Sequence, residues 1–259
     1  MRFLFSSEED RGAERIVGKR VMKLRTVVLP VLLFTVSTLL PASFLAQDQR
    51  VRIDKSRIPA EADKPNDFVP PGWKVEEQVT GDLNGDSLPD FALKLVEDKP
   101  AKKDGVATDR ERALIIVVND KSGKLARAAV TDKLLQCTLC GGAFYGVVDA
   151  PASVQIQKGI LVVDQDHGSR DVTRLTYRFR YEPETKKFLL IGFDLADNDR
   201  ATGMVVTEST NYLTGVRIVT RGKGKKVTTS RTQIPKNKIY LEQVDNEEFE
   251  TAALERLHL

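Results

Sequence analysis

Apolar and polar residues alternate along most of this chain with a period near two, the signature of strands with one buried face. Phe91, Leu93 and Leu95 alternate with Ala92 and Lys94. Residues 113–118 are apolar at every position, which places that strand centrally in a sheet. Trp73 opens a strand over 73–79 and reads as a core anchor. A further strand over 124–130 follows the turn Asn119-Asp120-Lys121-Ser122-Gly123, giving an antiparallel meander of three or four strands. In the second half, residues 154–157 and 160–164 flank Lys158-Gly159 as a hairpin. Over 174–181, Leu175, Tyr177, Phe179 and Tyr181 face one way and Arg174, Thr176, Arg178 and Arg180 the other. Strands over 188–193, 204–208 and 212–220 close the sheet, and only 246–257 has a helical pattern. The fold class predicted is mainly β: antiparallel meanders in two packed sheets or one large curved sheet, with little helix.

The hydrophobic pattern also divides the chain. Residues 26–46 are apolar and uncharged, preceded by Lys19, Arg20, Lys23 and Arg25, so residues 1–46 read as a leader. It is either a cleaved signal peptide, with Met22 an alternative start, or an uncleaved N-terminal anchor. Both place the remainder outside the cytoplasmic membrane, periplasmic or secreted. Residues 47–71 carry four prolines and read as a linker or an arm over a domain surface. The β domain spans 72–245, with sub-units near 72–135 and 150–220, and 246–259 forms a C-terminal tail. The net charge of +3 comes wholly from the leader: seven of 40 Lys/Arg and four of 37 Asp/Glu lie there, leaving 33 of each. Whole-chain charge therefore gives no case for a nucleic-acid partner.

One stretch carries metal chemistry. In Gly81-Asp82-Leu83-Asn84-Gly85-Asp86-Ser87-Leu88-Pro89-Asp90, oxygen donors fall at alternate positions: Asp82, Asn84, Asp86, the Leu88 carbonyl and then Asp90. Calcium takes six to eight such oxygens, and the absence of soft ligands disfavours zinc and copper. No bidentate Glu stands at the twelfth position, so Asp90 is expected to supply that function. The alternative is a solvated acidic turn without metal. These residues resemble the calcium loop of FG-GAP or VCBS-type repeats, which implies a structural Ca²⁺ held by Asp82, Asn84, Asp86 and Asp90 ahead of a strand. Ser87 stands where such loops usually place a glycine of positive φ, so local strain is expected. Only one good copy occurs, so no propeller follows. Over most of the chain after the leader, from Phe68-Val69-Pro70-Pro71-Gly72-Trp73 through the Cys137-Thr138-Leu139-Cys140-Gly141-Gly142 segment to Ser209-Thr210-Asn211-Tyr212-Leu213-Thr214-Gly215, the order of motifs is similar to that of secreted bacterial proteins of uncharacterised function. That resemblance implies export and a β fold, without an activity.

The two cysteines, Cys137 and Cys140, sit three apart. Export favours a disulfide that fixes a turn before Gly141-Gly142, with zinc and thiol redox as alternatives. His167 lies among Asp164, Gln165, Asp166, Ser169, Arg170 and Asp171 and reads as an exposed loop residue, because no nucleophile-elbow spacing surrounds it. Arg174, Arg178 and Arg180 offer a face for an anionic glycan or lipid, against the simpler outcome of pairing with acidic neighbouring strands. Residues 221–238 hold seven Lys/Arg and no acid, and 242–250 five acids and no base. The expectation is a solvated basic hairpin followed by an acidic strand that pairs with it. The function expected is a calcium-stabilised, non-enzymatic envelope binding or structural module whose ligand is unknown. A membrane is engaged only through an uncleaved leader. The alternatives are a hydrolase or accessory module acting on an envelope polymer, and a CxxC thiol protein.

Overall fold

A computed structural model describes residues 50–119 and 123–259; the leader expected over 1–46 and most of the 119–123 turn lie outside the described residues. Fourteen strands and two helices are named here in chain order. They are β1 (Glu61–Ala62), β2 (Trp73–Gly81), β3 (Asp90–Glu97), β4 (Lys102–Lys103), β5 (Val106–Ala107), β6 (Arg112–Asn119), β7 (Leu125–Thr131), α1 (Gly142–Tyr145), β8 (Ala152–Gln157), β9 (Ile160–Gly168), β10 (Asp171–Glu182), β11 (Lys187–Asp199), β12 (Met204–Asn211), β13 (Val216–Lys223), β14 (Lys226–Gln233) and α2 (Asn246–Leu257). They form two antiparallel sheets and a small ribbon, β4–β5. The first sheet has order β1-β7-β6-β3-β2, and the second is a seven-stranded meander from β8 to β14. The fold is mainly β, with neither a closed barrel nor a propeller among the described residues. No described helix is long and apolar enough to cross a membrane.

The apolar run in β6 is explained by two cores. Leu114 and Ile116 face the second sheet, sharing a core with Leu161, Leu175, Tyr177 and Phe193. Ala113, Ile115 and Val117 face the other way, where Ile53, Ile58 and Phe68 of the N-terminal arm cover them. A strand buried on both faces has no polar positions to alternate with. The arm is fastened by the Ile53 N–H to Asp132 Oδ2 at 3.0 Å, by Lys55 Nζ to the Val130 carbonyl at 2.8 Å, and by the β1–β7 pairing.

In β10, Leu175, Tyr177 and Phe179 are fully buried, as the alternation predicts. Its partner β11 changes parity: Phe188 and Leu190 point inward, then Phe193 and Leu195. A bulge explains the switch, since Arg178 pairs with Gly192 and Phe179 with Leu190, leaving Ile191 as an extra residue.

Two expectations are corrected. Residues 212–220 are not one strand, because Asn211 Oδ1 accepts the Thr214 N–H at 2.9 Å and Gly215 takes φ +69°, turning the chain before β13. The acidic segment after Tyr240 does not form the expected strand, and its second half belongs to the helix expected over 246–257: Asp245 caps α2 through the Glu247 N–H, and Glu247 and Glu248 lie in its first turn. Negative charge there complements the positive end of the helix. The basic hairpin β13–β14 therefore forms the sheet edge without an acidic strand beside it.

Candidate functional site

The acidic loop joins β2 to β3 and is knitted by its own side chains. Asp82 accepts the Gly85 and Ser87 N–H groups at 2.7 and 3.0 Å. Asn84 Oδ1 accepts Asp86 N–H at 2.9 Å, and Asp86 Oδ1 accepts Leu88 N–H at 2.8 Å. Ser87 adopts φ +68°, the left-handed conformation its position demands. Asp90 is fully buried and is committed to three backbone amides: Leu83 and Asn84 on Oδ2, at 2.7 and 3.1 Å, and Asn119 on Oδ1, at 2.8 Å. Burial raises its pKa, against the opposing pull of those amides.

Two observations bear on a cation here. The donors are all oxygen, and Asn119, whose backbone bonds both Asp90 and Asn84, carries a buried Oδ1 with no hydrogen-bond partner among the described residues. Such a set fits a hard cation. The three carboxylates do not converge, however. Among the described residues, the trio of acidic, His or Cys side chains with ligand atoms all within 4.8 Å of one another is Asp109, Cys137 and Cys140.

Cys137 and Cys140 have their sulfurs at bonding distance, 1.98 Å. The segment is stitched to its surroundings: Thr138 exchanges hydrogen bonds with the Arg110 backbone, and Asp109 Oδ1 accepts the Leu139 N–H at 2.9 Å. Gly141 and Gly142 are packing residues. The Gly141 carbonyl accepts the Gly168 N–H at 3.0 Å, and a Cβ on Gly142, at φ +70°, would lie 2.5 Å from the Gly168 carbonyl oxygen. Tyr145 donates to Asp166 Oδ1 at 2.6 Å; burial first, and then that carboxylate, push its hydroxyl up to about 12. The cysteine segment is thereby moored to the end of β9.

The end of β9 lies in a cleft that sequence reasoning missed. Cross-strand pairing aligns His167 of β9 with Thr173 of β10, Asp197 of β11 and Val206 of β12. Directly paired residues share a face, and this is the face that carries Leu175 and Tyr177 in the core. Glu250 and Leu254 of α2 roof the row, and Met204 and Leu259 add apolar wall, enclosing about 510 Å³. His167 is one-quarter exposed and belongs to a strand, which corrects the expectation of an exposed loop residue. Its Nε2 lies 2.8 Å from Glu250 Oε1. The pair is ionic when the ring is protonated, and at this short distance Nε2 makes no hydrogen bond of ordinary geometry with another described residue. The Glu250 carboxylate raises the histidine pKa, overcoming the lowering effect of burial.

Asp197 is 8% exposed, and Oδ2 accepts the Thr173 hydroxyl at 2.9 Å. Oδ1 has no partner among the described residues. Burial is the main cause of its raised pKa; Asp171, Asp199 and Glu250 add to it. Arg170, also in the cleft, is held by Asp199 through contacts at 3.3 and 3.0 Å, which depress the Asp199 pKa strongly. A smaller cavity of about 180 Å³ adjoins the first, sharing His167 and Glu250 and lined by Cys137 and Cys140.

The arginine face is largely neutralised. Arg174 lies 3.2 Å from Asp166 Oδ2, and Arg178 Nη1 donates to Asp194 Oδ2 at 2.6 Å, while Arg180 is exposed without an ion-pair partner among the described residues. No protein-family model, no curated protein and no solved structure matches this chain.

Proposed function

We propose that this chain is an exported, non-enzymatic module that binds a component of the cell envelope. The observation that carries this reading is the cleft of about 510 Å³ between the second sheet and α2, with its mixed apolar and charged lining. A concave site of this size with a few convergent polar groups is the common form of a small-ligand pocket. Two features support export: the basic-then-apolar leader, and a cysteine pair at bonding distance, which suits an oxidising compartment. In this reading, calcium braces the acidic loop through Asp82, Asn84, Asp86 and the Leu88 carbonyl, offsetting the charge of the two exposed-side carboxylates. Asp90 holds the loop backbone in place. Immobilised protein is expected to retain an envelope component, and Met204→Trp, which fills the cleft from an exposed position, is expected to release it. Equal retention by both proteins would remove the cleft from the function.

The proximity of His167 and Glu250 to Asp197 favours a second reading, a hydrolase acting on an envelope polymer with these groups as acid and base. Polymer cleavage that is lost in His167→Gln with folding intact would select it over simple binding.

A further inference from the structure

The charges that line the cleft do not balance. Arg170 is consumed by Asp199, with Asp171 4.0 Å from its Nε, and His167 is consumed by Glu250. Asp197 is left with a buried carboxylate, a single hydroxyl donor from Thr173, and no ion-pair partner among the described residues. A buried charge without a partner is costly, and natural interiors either pair it or neutralise it. Its free Oδ1 is not sealed in the interior: the residue lines the cleft, and that atom is absent from the set of fully buried, unsatisfied polar atoms. A buried carboxylate is thus presented to an open cavity by strand backbone, with its second oxygen fixed by the neighbouring strand. Beside it, Val206 forms an apolar floor and Leu254, Met204 and Leu259 an apolar side.

We propose that the cleft takes a ligand bearing a protonated amine or guanidinium on an apolar stem. The cation bonds Asp197 Oδ1, and the stem lies against Val206 and Leu254. The opposite charge is disfavoured, because Asp171, Asp199 and Glu250 all face the same space and the cations present are already paired. A purely apolar ligand would leave the buried carboxylate without a partner and cut off from water, which is the more expensive outcome. A cationic head on a short alkyl chain satisfies both surfaces at once. The carboxylate would then act as the orienting polar group of an otherwise apolar pocket.

This ligand class rests on the cleft being the binding site, and the experiment separates the two. The full chain is titrated with n-pentylamine, n-pentylguanidine, n-pentanoate and n-pentanol at pH 7.5, with amide shifts followed by NMR. The two cations are expected to shift residues around 167–173, 197–206 and 250–259 saturably, whereas pentanoate and pentanol leave them unmoved. Asp197→Asn, which keeps an acceptor for Thr173, is expected to weaken the amine at least tenfold with a melting temperature no lower than that of the unaltered chain. Equal binding of amine and alcohol would overturn the proposal, as would amine affinity within twofold of wild type in Asp197→Asn. The comparison of amine with alcohol and acid on the unaltered chain holds even if the variant does not fold. Absence of cation binding, alongside release of the envelope component by Met204→Trp, would overturn the ligand class and leave the cleft standing.

Discussion

Thr173 Oγ1 donates to Asp197 Oδ2 at 2.9 Å across a directly paired position of β10 and β11, and among the described residues Oδ1 of this cleft-lining carboxylate has no hydrogen-bond partner. One hydroxyl cannot repay the desolvation of a carboxylate. Asp197→Asn is therefore expected to raise stability at pH 7 by ~1 kcal/mol, measured by urea unfolding. Because burial raises this carboxyl's pKa, the cost of its charged form is present above the folded value and disappears as pH falls through it. The Asn variant should lack that pH dependence, and a destabilised variant at pH 7 would mean that the charge is already compensated.

His167 has the opposite charge type and the same sign of slope. Its folded pKa is raised by Glu250, with Asp166 and Asp197 adding to the effect. Its contribution is fully present below about pH 6.5, the value of the unfolded side chain, and is lost as pH rises through the folded value. The urea midpoint is expected to fall between pH 6 and pH 8.5. His167→Gln should flatten that fall, and an unchanged slope would place the proton elsewhere.

Calcium, if it braces the acidic loop with a typical extracellular Kd near 0.1 mM, adds about 1.4 kcal/mol at roughly 1 mM. Replacing excess calcium with EDTA should lower the melting temperature, and Asp82→Asn should abolish the difference. Asp90→Ala should behave otherwise. Three backbone amides lose their acceptor, so about 3 kcal/mol is lost in calcium and in EDTA alike. Identical melts of the unaltered chain in both buffers would remove the metal.

The close approach of Gly142 to Gly168 predicts a long-range effect. Gly142→Ala brings a Cβ against the Gly168 carbonyl at a left-handed φ, and should cost roughly 2 kcal/mol or more. The His167 ring resonances should shift with it, because His167 precedes Gly168 in β9. Replacing both cysteines by serine should cost about 2 kcal/mol and move the same resonances. Unmoved resonances in both variants would uncouple the cysteine segment from the cleft.

Much of the cleft was in principle legible. Along β9 the inward positions run Leu161, Val163, Gln165, His167, and along β11 Leu195 is followed by Asp197. Carrying the alternation past its apolar members would have put His167 and Asp197 on the core face. A polar residue on an apolar face is the informative exception. The parity of β11 was beyond reach, because the Ile191 bulge depends on its pairing with β10. So was the partner of His167: Glu250 is 83 positions away, on a helix whose acidic start reads equally well as a strand.

By itself, the sequence determined the strands with a clear alternation or a continuous apolar run, β3, β6 and β10 among them, because a two-residue period is a local property of side-chain placement. It also determined the central position of β6 and the oxygen-rich character of the acidic loop. Only tertiary structure decided which polar groups meet. The pairing register set His167, Thr173, Asp197 and Val206 in one row, α2 brought Glu250 over it, and the fold buried Asp90 as an acceptor for three backbone amides. Register and helix docking follow from the shape of the whole core, which no short window of sequence contains.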